Sequence, residues 1–577
     1  MFTYKYNIKI IKFLFKKNNI YVRIKYSKGF ESMISVTYKG ATKQFNKGTS
    51  YYEISKNFGL GKNILGVKIN NEVHSLCDKV LSDVEVSFID LKDLTGNKIY
   101  KSGLEFIFEV SLKELFPSLE ITYQHSVPKG VLGEIVGEHV ITQEDLGKIK
   151  NVMARIISED KVFKKLNIKK KEAIDFYFKN NQIEKAENIQ NISDKVVTLY
   201  ELNGVYNYFY TDMPYSTGSI TEYEIVYLGR NRLVFVVPSN RTNGVLPEYV
   251  HYDNIINSFL VGKNWLETLN MKYVTEINKT VSDGKIKEFI KSCELVFNMN
   301  IAKVATEVTS NRNIKFILIA GPSSSGKTTT TKRLSSYLLA QGYDPVSLSI
   351  DDFFLEREES PKDENGNYDF ECLTAIDLEL FNSTLKNLLN GEEVDIPTFN
   401  FVTGKKEFDN KKVKLKDNSI VLIEGLHALN DELLPSIDNN LKYKIYLSPF
   451  IPLNIDKHNY ISTIDLRLIR RIIRDNRTRN YDINKTIHTW QSVRNGEEKY
   501  IFPYIHQADV IINTALPYEV GVEKVYIEPL LRSITVGSEY FEEARRLLNF
   551  LKMFFSIPGE YVSSDSILRE FIGGNND

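Results

Sequence analysis

The sequence has few cysteines and no long apolar run. Its 577 residues contain three cysteines, Cys77, Cys293 and Cys372, which lie far apart. This number and spacing exclude a disulfide framework and a cysteine-rich zinc site, and they fit a reducing compartment, so we expect a cytoplasmic protein. No uninterrupted apolar run approaches the roughly 20 residues that a membrane helix needs, so we expect no membrane partner.

The sequence also has no excess of charge of either sign. Lysine plus arginine number 74, and so do aspartate plus glutamate. A general nucleic-acid or membrane-surface binder usually carries a basic excess, which is absent here. The 42% hydrophobic and 26% charged residues are typical of a soluble globular protein. The length predicts about three to four domains.

Composition and pattern divide the chain into six segments. Residues 1–32 are lysine-rich and lack the clean apolar stretch of a signal peptide, so we expect a loose extension and regard Met33 as an alternative start to Met1. The remaining segments are a β-rich module (33–90), an α+β region (91–280), a helical connector (281–312), an α/β domain (313–525) and a C-terminal helical segment (526–577).

A phosphate-binding motif opens the α/β domain. The apolar run 315–320 has the length of a strand, and a helical pattern starts at Thr329. Between them the G-x-x-x-x-G-K-T pattern is complete: Gly321, Pro322, Ser323, Ser324, Ser325, Gly326, Lys327 and Thr328. Such a loop turns backbone N–H groups towards phosphate oxygens, the lysine reaches the β- and γ-phosphates, and the threonine hydroxyl binds Mg²⁺. The motif therefore predicts binding of ATP and Mg²⁺; the alternative is a glycine- and serine-rich loop of no function.

Carboxylates follow two further predicted strands. The run 345–350 ends in Asp351 and Asp352, and the run 419–423 ends in Glu424. Ligands of open parallel sheets bind at the carboxyl ends of strands. There, Asp351 can accept a proton from an attacking hydroxyl, and Glu424 can act on Mg²⁺. The alternatives are a helix N-cap for either aspartate and a plain strand-end glutamate.

A cluster of arginines follows the next predicted strand. Arg467, Arg470, Arg471 and Arg474 share one helix face, and Arg477 and Arg479 come after them. Like charges at this spacing repel each other by about 0.2–0.5 kcal/mol per pair in an isolated helix. Phosphates would relieve this repulsion. Asp465, Asp475 and other carboxylates could neutralise one or two of these arginines, but we expect others to face phosphate.

Together these motifs resemble the uridine kinase/phosphoribulokinase family of P-loop kinases. The matching pieces are 321–328, 351–354, 396–401, 423–425, 465–475 and 508–512, in the family's order over about 200 residues. The resemblance implies a doubly wound parallel sheet and a hydroxyl acceptor. It also implies four groups of site residues: catalytic Asp351, Lys327, Arg470 and Arg474; ATP-binding 321–328 with Thr329, Arg471 and Arg479; substrate-binding Asp352, Phe354, Phe399, Phe401 and Arg467; and metal-binding Thr328 and Glu424.

The sequence departs from this family where a nucleoside would bind. Uridine kinases typically carry a Phe-Asp-His-Pro-Asp segment, and here residues 370–374 read Phe-Glu-Cys-Leu-Thr. Asn400 replaces an aspartate, and Gly404 stands where a histidine is expected. The expected acceptor is therefore a small molecule other than uridine.

The first 290 residues resemble the N-terminal pair of threonyl-tRNA synthetase. The pair consists of a β-grasp TGS module and the second additional, editing-type domain. The editing element His-x-x-x-His is incomplete, because His125 is followed by Lys129 at the second position. The resemblance implies a binding or regulatory role and makes RNA a candidate partner.

We therefore predict an ATP-dependent kinase of the uridine kinase type. Two alternatives stay open: a kinase of a sugar, polyol or pentose phosphate, and an RNA-binding regulator with an ATPase switch. The sequence does not choose the acceptor or the oligomeric state.

Overall fold

The computed structural model describes residues 33–362, 366, 368–400, 403–409 and 411–574, so the predicted extension 1–32 and Phe401 lie outside the described residues. Within these ranges no helix combines the length and the apolar character that crossing a membrane requires.

The first module, residues 33–90, contains two small sheets and one helix. Lys39 and Gly40 both have positive φ, which gives the tight turn between the first two strands. Ser50 and Glu53 form a capping box that starts the helix. The sheet orders are β2-β1-β5 and β4-β3-β6. The elements are β1 (Met33–Tyr38), β2 (Ala41–Asn46), α1 (Tyr51–Asn57), β3 (Gly66–Ile69), β4 (Glu72–His74), β5 (Val84–Glu85) and β6 (Ser87–Ile89).

The second module, residues 91–282, is built on two antiparallel sheets and a long helix that is buried along most of its length. Its sheet orders are β12-β13-β8-β7 and β11-β10-β9. The elements are α2 (Leu94–Leu115), β7 (Glu120–Val127), β8 (Gly130–Val136), α3 (Gln143–Ser158), β9 (Lys164–Lys169), α4 (Lys170–Lys179), α5 (Ile183–Asn191), β10 (Val196–Leu202), β11 (Val205–Asn207), β12 (Glu224–Gly229), β13 (Arg232–Val236), α6 (Asp253–Thr268) and α7 (Val274–Ser282).

The segment expected to be a connector is a single helix, α8 (Ile286–Ser310), with an extensive buried face. Phe297, Ile301 and Val304 belong to the same apolar core as residues of the following sheet. The helix therefore contributes to the core of the following sheet as well as linking two parts of the chain.

The third part contains the predicted parallel sheet, which is confirmed. Its order is β15-β20-β14-β21-β22, and all four pairings are parallel. The elements are β14 (Phe316–Ala320), α9 (Lys327–Ala340), β15 (Asp344–Ser349), α10 (Leu378–Leu389), β16 (Val394–Asp395), β17 (Thr398–Asn400), β18 (Lys405–Glu407), β19 (Lys412–Val413), β20 (Ser419–Glu424), β21 (Lys442–Ser448), α11 (Thr463–Arg479), α12 (Ile483–Tyr500), β22 (Val510–Asn513), α13 (Glu519–Arg532), α14 (Phe541–Leu551) and α15 (Arg569–Ile572).

The central strand β14 is buried on both faces. Ile317 and Ile319 lie in one apolar core, and Phe316 and Leu318 lie in the other. This arrangement explains why the strand reads as a continuous apolar run rather than as an alternating one. Because the strands are parallel, their carboxyl ends lie along one edge of the sheet. The predicted site residues come directly after these ends.

Candidate active site

The phosphate-binding loop joins β14 to α9, as the motif predicts. Ser324 and Gly326 adopt positive φ, +60° and +83°, and Gly326 is the residue that precedes the first turn of α9. A Cβ on Gly326 would lie 2.3 Å from Cδ1 of Ile567, and one on Gly321 would lie 2.6 Å from the carbonyl oxygen of Leu447. Both glycines are thus required by close packing, and α9 directs its N-terminal N–H groups at the loop.

The two predicted Mg²⁺ ligands lie next to each other. Thr328 Oγ1 donates a hydrogen bond to Glu424 Oε1 at 3.1 Å, because β20 is the neighbour of β14 in the sheet. Burial raises the pKa of Glu424 to about 7, Lys327 opposes the shift and Asp351 adds to it. Lys327 itself folds back on the loop and donates to the carbonyl oxygen of Gly321 at 3.0 Å. Two oxygen donors and one ammonium therefore converge at the start of α9.

The two aspartates after β15 differ in their surroundings. Both lie in a short 3-10 turn, Ile350–Phe353, directly beyond the pairing of Ser349 with Glu424. The Asp351 side chain reaches solvent, yet the protein around it raises its pKa by desolvation, against the positive charges of Lys327, Arg479 and Arg474. Asp352 instead accepts a hydrogen bond from the backbone N–H of Phe399 at 3.3 Å. Of the pair, Asp351 is thus the one within the electrostatic reach of the loop lysine.

Two of the arginines predicted to face phosphate are placed differently from the expectation. Arg467 and Arg470 are 1% and 0% exposed. Arg467 bonds to Glu497 and donates from Nε to the carbonyl oxygen of Ser323 at 2.9 Å. Arg470 donates from Nε to Glu519 at 2.9 Å. Both side chains are therefore buried under the loop, where each forms an ion pair with a carboxylate of α12 or α13.

The remaining arginines of α11 are nearer to the surface. Arg471 donates to Ser323 Oγ at 2.9 Å, and its side chain is 12% exposed. Arg471, Arg474 and Arg479 all lie within 4 Å of Asp475, which confirms that this aspartate neutralises part of the cluster. Asp465 pairs with Arg546 instead. The arginines that can still turn towards a bound phosphate are thus the three around Asp475.

Several contacts near the loop carry no sequence signal. Thr329 donates to Glu570 of the C-terminal segment at 2.8 Å, across 241 positions of sequence. Arg477 holds the same segment through the carbonyl oxygens of Phe571, at 3.0 Å, and Glu570, at 2.8 Å. Burial and the charge of Glu497 raise the pKa of Glu371 to about 7. These contacts join segments far apart in the chain, so no local pattern could have revealed them.

Aromatic rings line the expected acceptor side. Phe354 and Phe399 pack edge to face with centroids 5.7 Å apart. Gly404 has a φ of +74°, and a Cβ there would lie 2.9–3.1 Å from Cβ, Nε and Cζ of Arg357. Arg357 thus occupies the space that a side chain at position 404 would need, where the resemblance led us to expect a histidine. Phe401 lies outside the described residues.

The incomplete editing element is not an exposed site. His125 is fully buried, stacks on Phe259 with centroids 5.0 Å apart, and packs edge to face on Phe450. Burial lowers its pKa to about 3, so the ring is neutral. Both ring nitrogens lack a hydrogen-bond partner among the described residues. His125 is therefore a core residue that packs between the second module and the parallel sheet.

Comparison with known proteins supports the assignment of the C-terminal part. Residues 316–519 match the model of the Phosphoribulokinase / Uridine kinase family. The uridine kinases of Staphylococcus aureus strains JH9 and Newman are each 28% identical over 217 residues, which cover 37% of this chain and 93% of the relative.

Two solved structures are also similar to this chain. One is a putative fructose transport system kinase from Silicibacter sp. TM1040, with 17% identity, a TM-score of 0.27 and coverage of 37% of this chain and 98% of that chain. The other is a possible uridine kinase from Bacillus stearothermophilus, with 22% identity, a TM-score of 0.23 and coverage of 35% and 89%. The motif, the strand-end carboxylates and the family match together identify the C-terminal part, residues 316–519, as an ATP-dependent P-loop kinase domain of the phosphoribulokinase/uridine kinase family.

Proposed function

We propose that the chain transfers the γ-phosphoryl group of ATP to a hydroxyl of a small molecule, with Asp351 as the general base. The observation that carries this proposal is the position of Asp351 at the carboxyl end of β15, beside the strand that holds Glu424. Its carboxylate interacts with the charge of Lys327. A base in this position can take the proton of an acceptor hydroxyl as that oxygen attacks the phosphorus.

The residues present fit Mg²⁺ and ATP. Thr328 and Glu424 provide two hard oxygen donors 3.1 Å apart, the type of ligand that Mg²⁺ prefers. Bound Mg²⁺ would offset negative charge on the phosphates. Lys327 would leave the Gly321 carbonyl to hold the β- and γ-phosphates, and Arg471, Arg474 and Arg479 would compensate the charge that spreads over the transferred group.

The residues of the expected acceptor side favour an acceptor other than uridine. A site built to hydrogen-bond a substrate hydroxyl loses affinity when its polar partners are absent. Thr374 is exposed and Gly404 has no side chain, so neither replaces the aspartate and histidine that uridine kinases carry. Phe354 and Phe399 still provide an apolar wall for a ring or a sugar face.

Arg357 favours a second candidate, an acceptor that carries an anionic group. Nε and Cζ of its guanidinium group lie 3.0 and 3.1 Å from the position that a Cβ on Gly404 would take, where the resemblance led us to expect a histidine. An arginine at this position matches a phosphate better than a neutral base, because its fork of donors binds oxyanions at two atoms. The candidate acceptor of this class is a pentose phosphate.

Steady-state kinetics with matched acceptors test both candidates. The panel contains uridine, cytidine, other nucleosides, polyols, pentoses and the corresponding pentose phosphates. We expect a kcat/KM for uridine below about 10⁴ M⁻¹s⁻¹, the low end of ordinary enzyme efficiency. A higher value would refute the exclusion of uridine.

A variant pair separates the role of Arg357 from a general charge effect. Arg357→Leu should reduce the preference for a phosphorylated acceptor over its unphosphorylated form. Lys405→Leu, on the exposed strand β18, serves as the control and should leave that preference unchanged. Equal effects of the two substitutions would contradict the anionic-acceptor candidate and leave the phosphoryl transfer itself intact.

A further inference from the structure

A large cavity lies between the second module and the kinase domain. Its volume is about 880 Å³, within the range of about 300–1,000 Å³ that is usual for small-molecule sites. Helix α2 and the β7–β8 turn line one side, and residues before α11 and on α12 line the other. Its lining, among the described residues, does not include Lys327, Thr328, Asp351 or Glu424. The cavity therefore does not contain these four predicted phosphoryl-transfer residues, and it reaches the phosphate-binding loop at Pro322.

The lining carries more positive than negative side chains. Seven lysines and arginines line the cavity, against three carboxylates. Each of the four arginines is bonded to a carboxylate: Arg241 to Glu498, Arg467 and Arg494 to Glu497, and Arg546 to Asp465. The three lysines, Lys98, Lys101 and Lys129, have no carboxylate within ion-pair distance in the part of the chain that the structure describes. Lys101 donates to the hydroxyl of Tyr460 at 2.5 Å, and Lys129 donates to the carbonyl oxygen of Glu248 at 3.5 Å. The cavity thus offers a ligand positive charge that, among the described residues, no carboxylate within ion-pair distance compensates.

Two of these lysines share a helix face with a buried carboxyl group. Lys98, Lys101 and Glu105 stand at positions i, i+3 and i+7 of α2 and all line the cavity. Glu105 is 3% exposed, and within the described ranges its Oε1 has no hydrogen-bond partner. Burial raises the pKa of Glu105 to about 7 and lowers that of Lys98, whose neighbour Arg546 adds to the shift. Buried polar atoms are normally paired. The Oε1 of Glu105, unpaired among the described residues, therefore indicates that a hydrogen-bonding ligand is missing from this face of α2.

The walls between these polar groups are aromatic. Phe209, Phe235 and Phe450 line the cavity and are themselves at least nine-tenths buried. At a rise of about 1.5 Å per residue, Lys98 and Glu105 are about 10 Å apart along the helix axis. A ligand that reaches both groups therefore has an anionic end, an apolar or ring-shaped body and a hydrogen-bonding group at the far end.

We propose that this interdomain cavity is a second small-molecule site, which binds an organic anion with a ring-shaped body and is coupled to the phosphate-binding loop. Lys98 and Lys101 bind the anionic group, the aromatic walls pack on the ring, and Glu105 binds the polar group opposite.

The coupling runs through Arg467 and its partner Glu497, which both hydrogen-bond to the phosphate-binding loop. Arg467 lines the cavity, and its Nε donates to the carbonyl oxygen of Ser323 in the phosphate-binding loop at 2.9 Å. Glu497, which bonds to Arg467 and Arg494, also accepts from the backbone N–H of Ser323 at 3.3 Å. A ligand that shifts Arg467 or Arg494 must change the hydrogen bonds that hold the loop.

Anilinonaphthalene sulfonate, an aromatic anion that fluoresces in apolar surroundings, is the probe for the full chain. We expect one molecule to bind per chain, with affinity reduced at least about tenfold in Lys98→Gln and in Lys101→Gln, the scale of losing one hydrogen bond to a charged group. Lys92→Gln, at an exposed position just before α2, is the matched control and should stay within about twofold of the wild type. N-phenylnaphthylamine, which lacks the sulfonate, should bind more weakly. Circular dichroism melting curves would show that the variants fold.

The outcomes decide the proposal. Equal affinity for the probe in Lys98→Gln, Lys101→Gln and the wild type, or saturation at several molecules per chain, would overturn the site. Saturating probe should change the dissociation constant of ATP by at least about fivefold in the wild type, a usual coupling strength between two sites, and not in Lys98→Gln. An unchanged ATP affinity, or displacement of the probe by ATP in Lys327→Ala, would overturn the coupling.

Discussion

Replacing Arg470 by methionine should unfold the kinase domain before it impairs the chemistry. Arg470 is completely buried and donates to Glu519, to the carbonyl oxygen of Thr514 at 2.9 Å and to that of Ser324 at 3.3 Å. Burial raises the pKa of both Glu519 and Glu523, and Arg470 opposes both shifts. We infer that Glu519 is ionised against the arginine, while Glu523 stays protonated because the charge of Glu519 repels a second anion.

The size of the effect follows from the loss of one partner of a buried ion pair. Methionine fills most of the volume but leaves the Glu519 carboxylate uncompensated, which costs about 3–5 kcal/mol. At about 2–4 °C per kcal/mol for a domain of this size, the melting temperature should fall by about 6–20 °C. Thermal denaturation of the full chain, followed by circular dichroism, measures this change.

Two further variants make the test specific. Arg474→Met, one turn further along α11, is the control, because the Arg474 side chain is partly exposed and pairs with Asp475 at 2.8 Å; its melting temperature should fall less. Adding Glu519→Gln to Arg470→Met should restore part of the loss. If Arg470→Met melts within about 2 °C of the wild type, less than the shift for 1 kcal/mol, but loses phosphoryl transfer, Arg470 faces phosphate as the sequence first suggested and the structural role is refuted.

Three further predictions concern the site. Lys327→Ala should lower kcat by about 10²-fold or more, the scale of removing one preorganised electrostatic donor, and near-normal turnover would contradict the assignment of the loop. Asp351→Asn should lower phosphoryl transfer by about 10²–10⁴-fold while ATP binding survives, and the reverse order, with Asp352→Asn inactive and Asp351→Asn active, would move the base by one residue. Burial raises the pKa of Glu371 to about 7, whereas a glutamate in the unfolded chain has a pKa of about 4.3. Between roughly pH 4.3 and pH 7 the folded state therefore binds one proton more than the unfolded state, so the protein loses stability as the pH rises through this range. Glu371→Gln should therefore raise the melting temperature more at pH 8 than at pH 5, and an equal shift at both pH values would argue against the raised pKa.

The architecture of the kinase domain could be predicted from the sequence, because its signals are local. A strand buried on both faces must be apolar throughout, so 315–320 and 419–423 could be recognised without knowing their partners. The edge strand at 345–350 could be recognised because Val346, Leu348 and Ile350 alternate with serines. The loop 321–328 joins a strand to a helix in a way that depends only on neighbouring residues. Parallel strands end at one edge of the sheet, which made the proximity of Thr328 and Glu424 predictable before the structure.

The tertiary structure alone decided which charges are free and which are compensated. The spacing of Arg467, Arg470, Arg471 and Arg474 showed that they share a helix face, but their partners Glu497 and Glu519 belong to other helices. An arginine that pairs with a buried carboxylate is part of the core, whereas an arginine near the surface can reach phosphate. Which of the two occurs depends on how the helices pack, not on the spacing within α11. The packing of Arg357 against Gly404, the contact of Glu570 with Thr329 and the cavity beside α2 have the same origin. Each brings together residues distant in the chain, whose approach is set by the packing of whole elements and leaves no local pattern in the sequence.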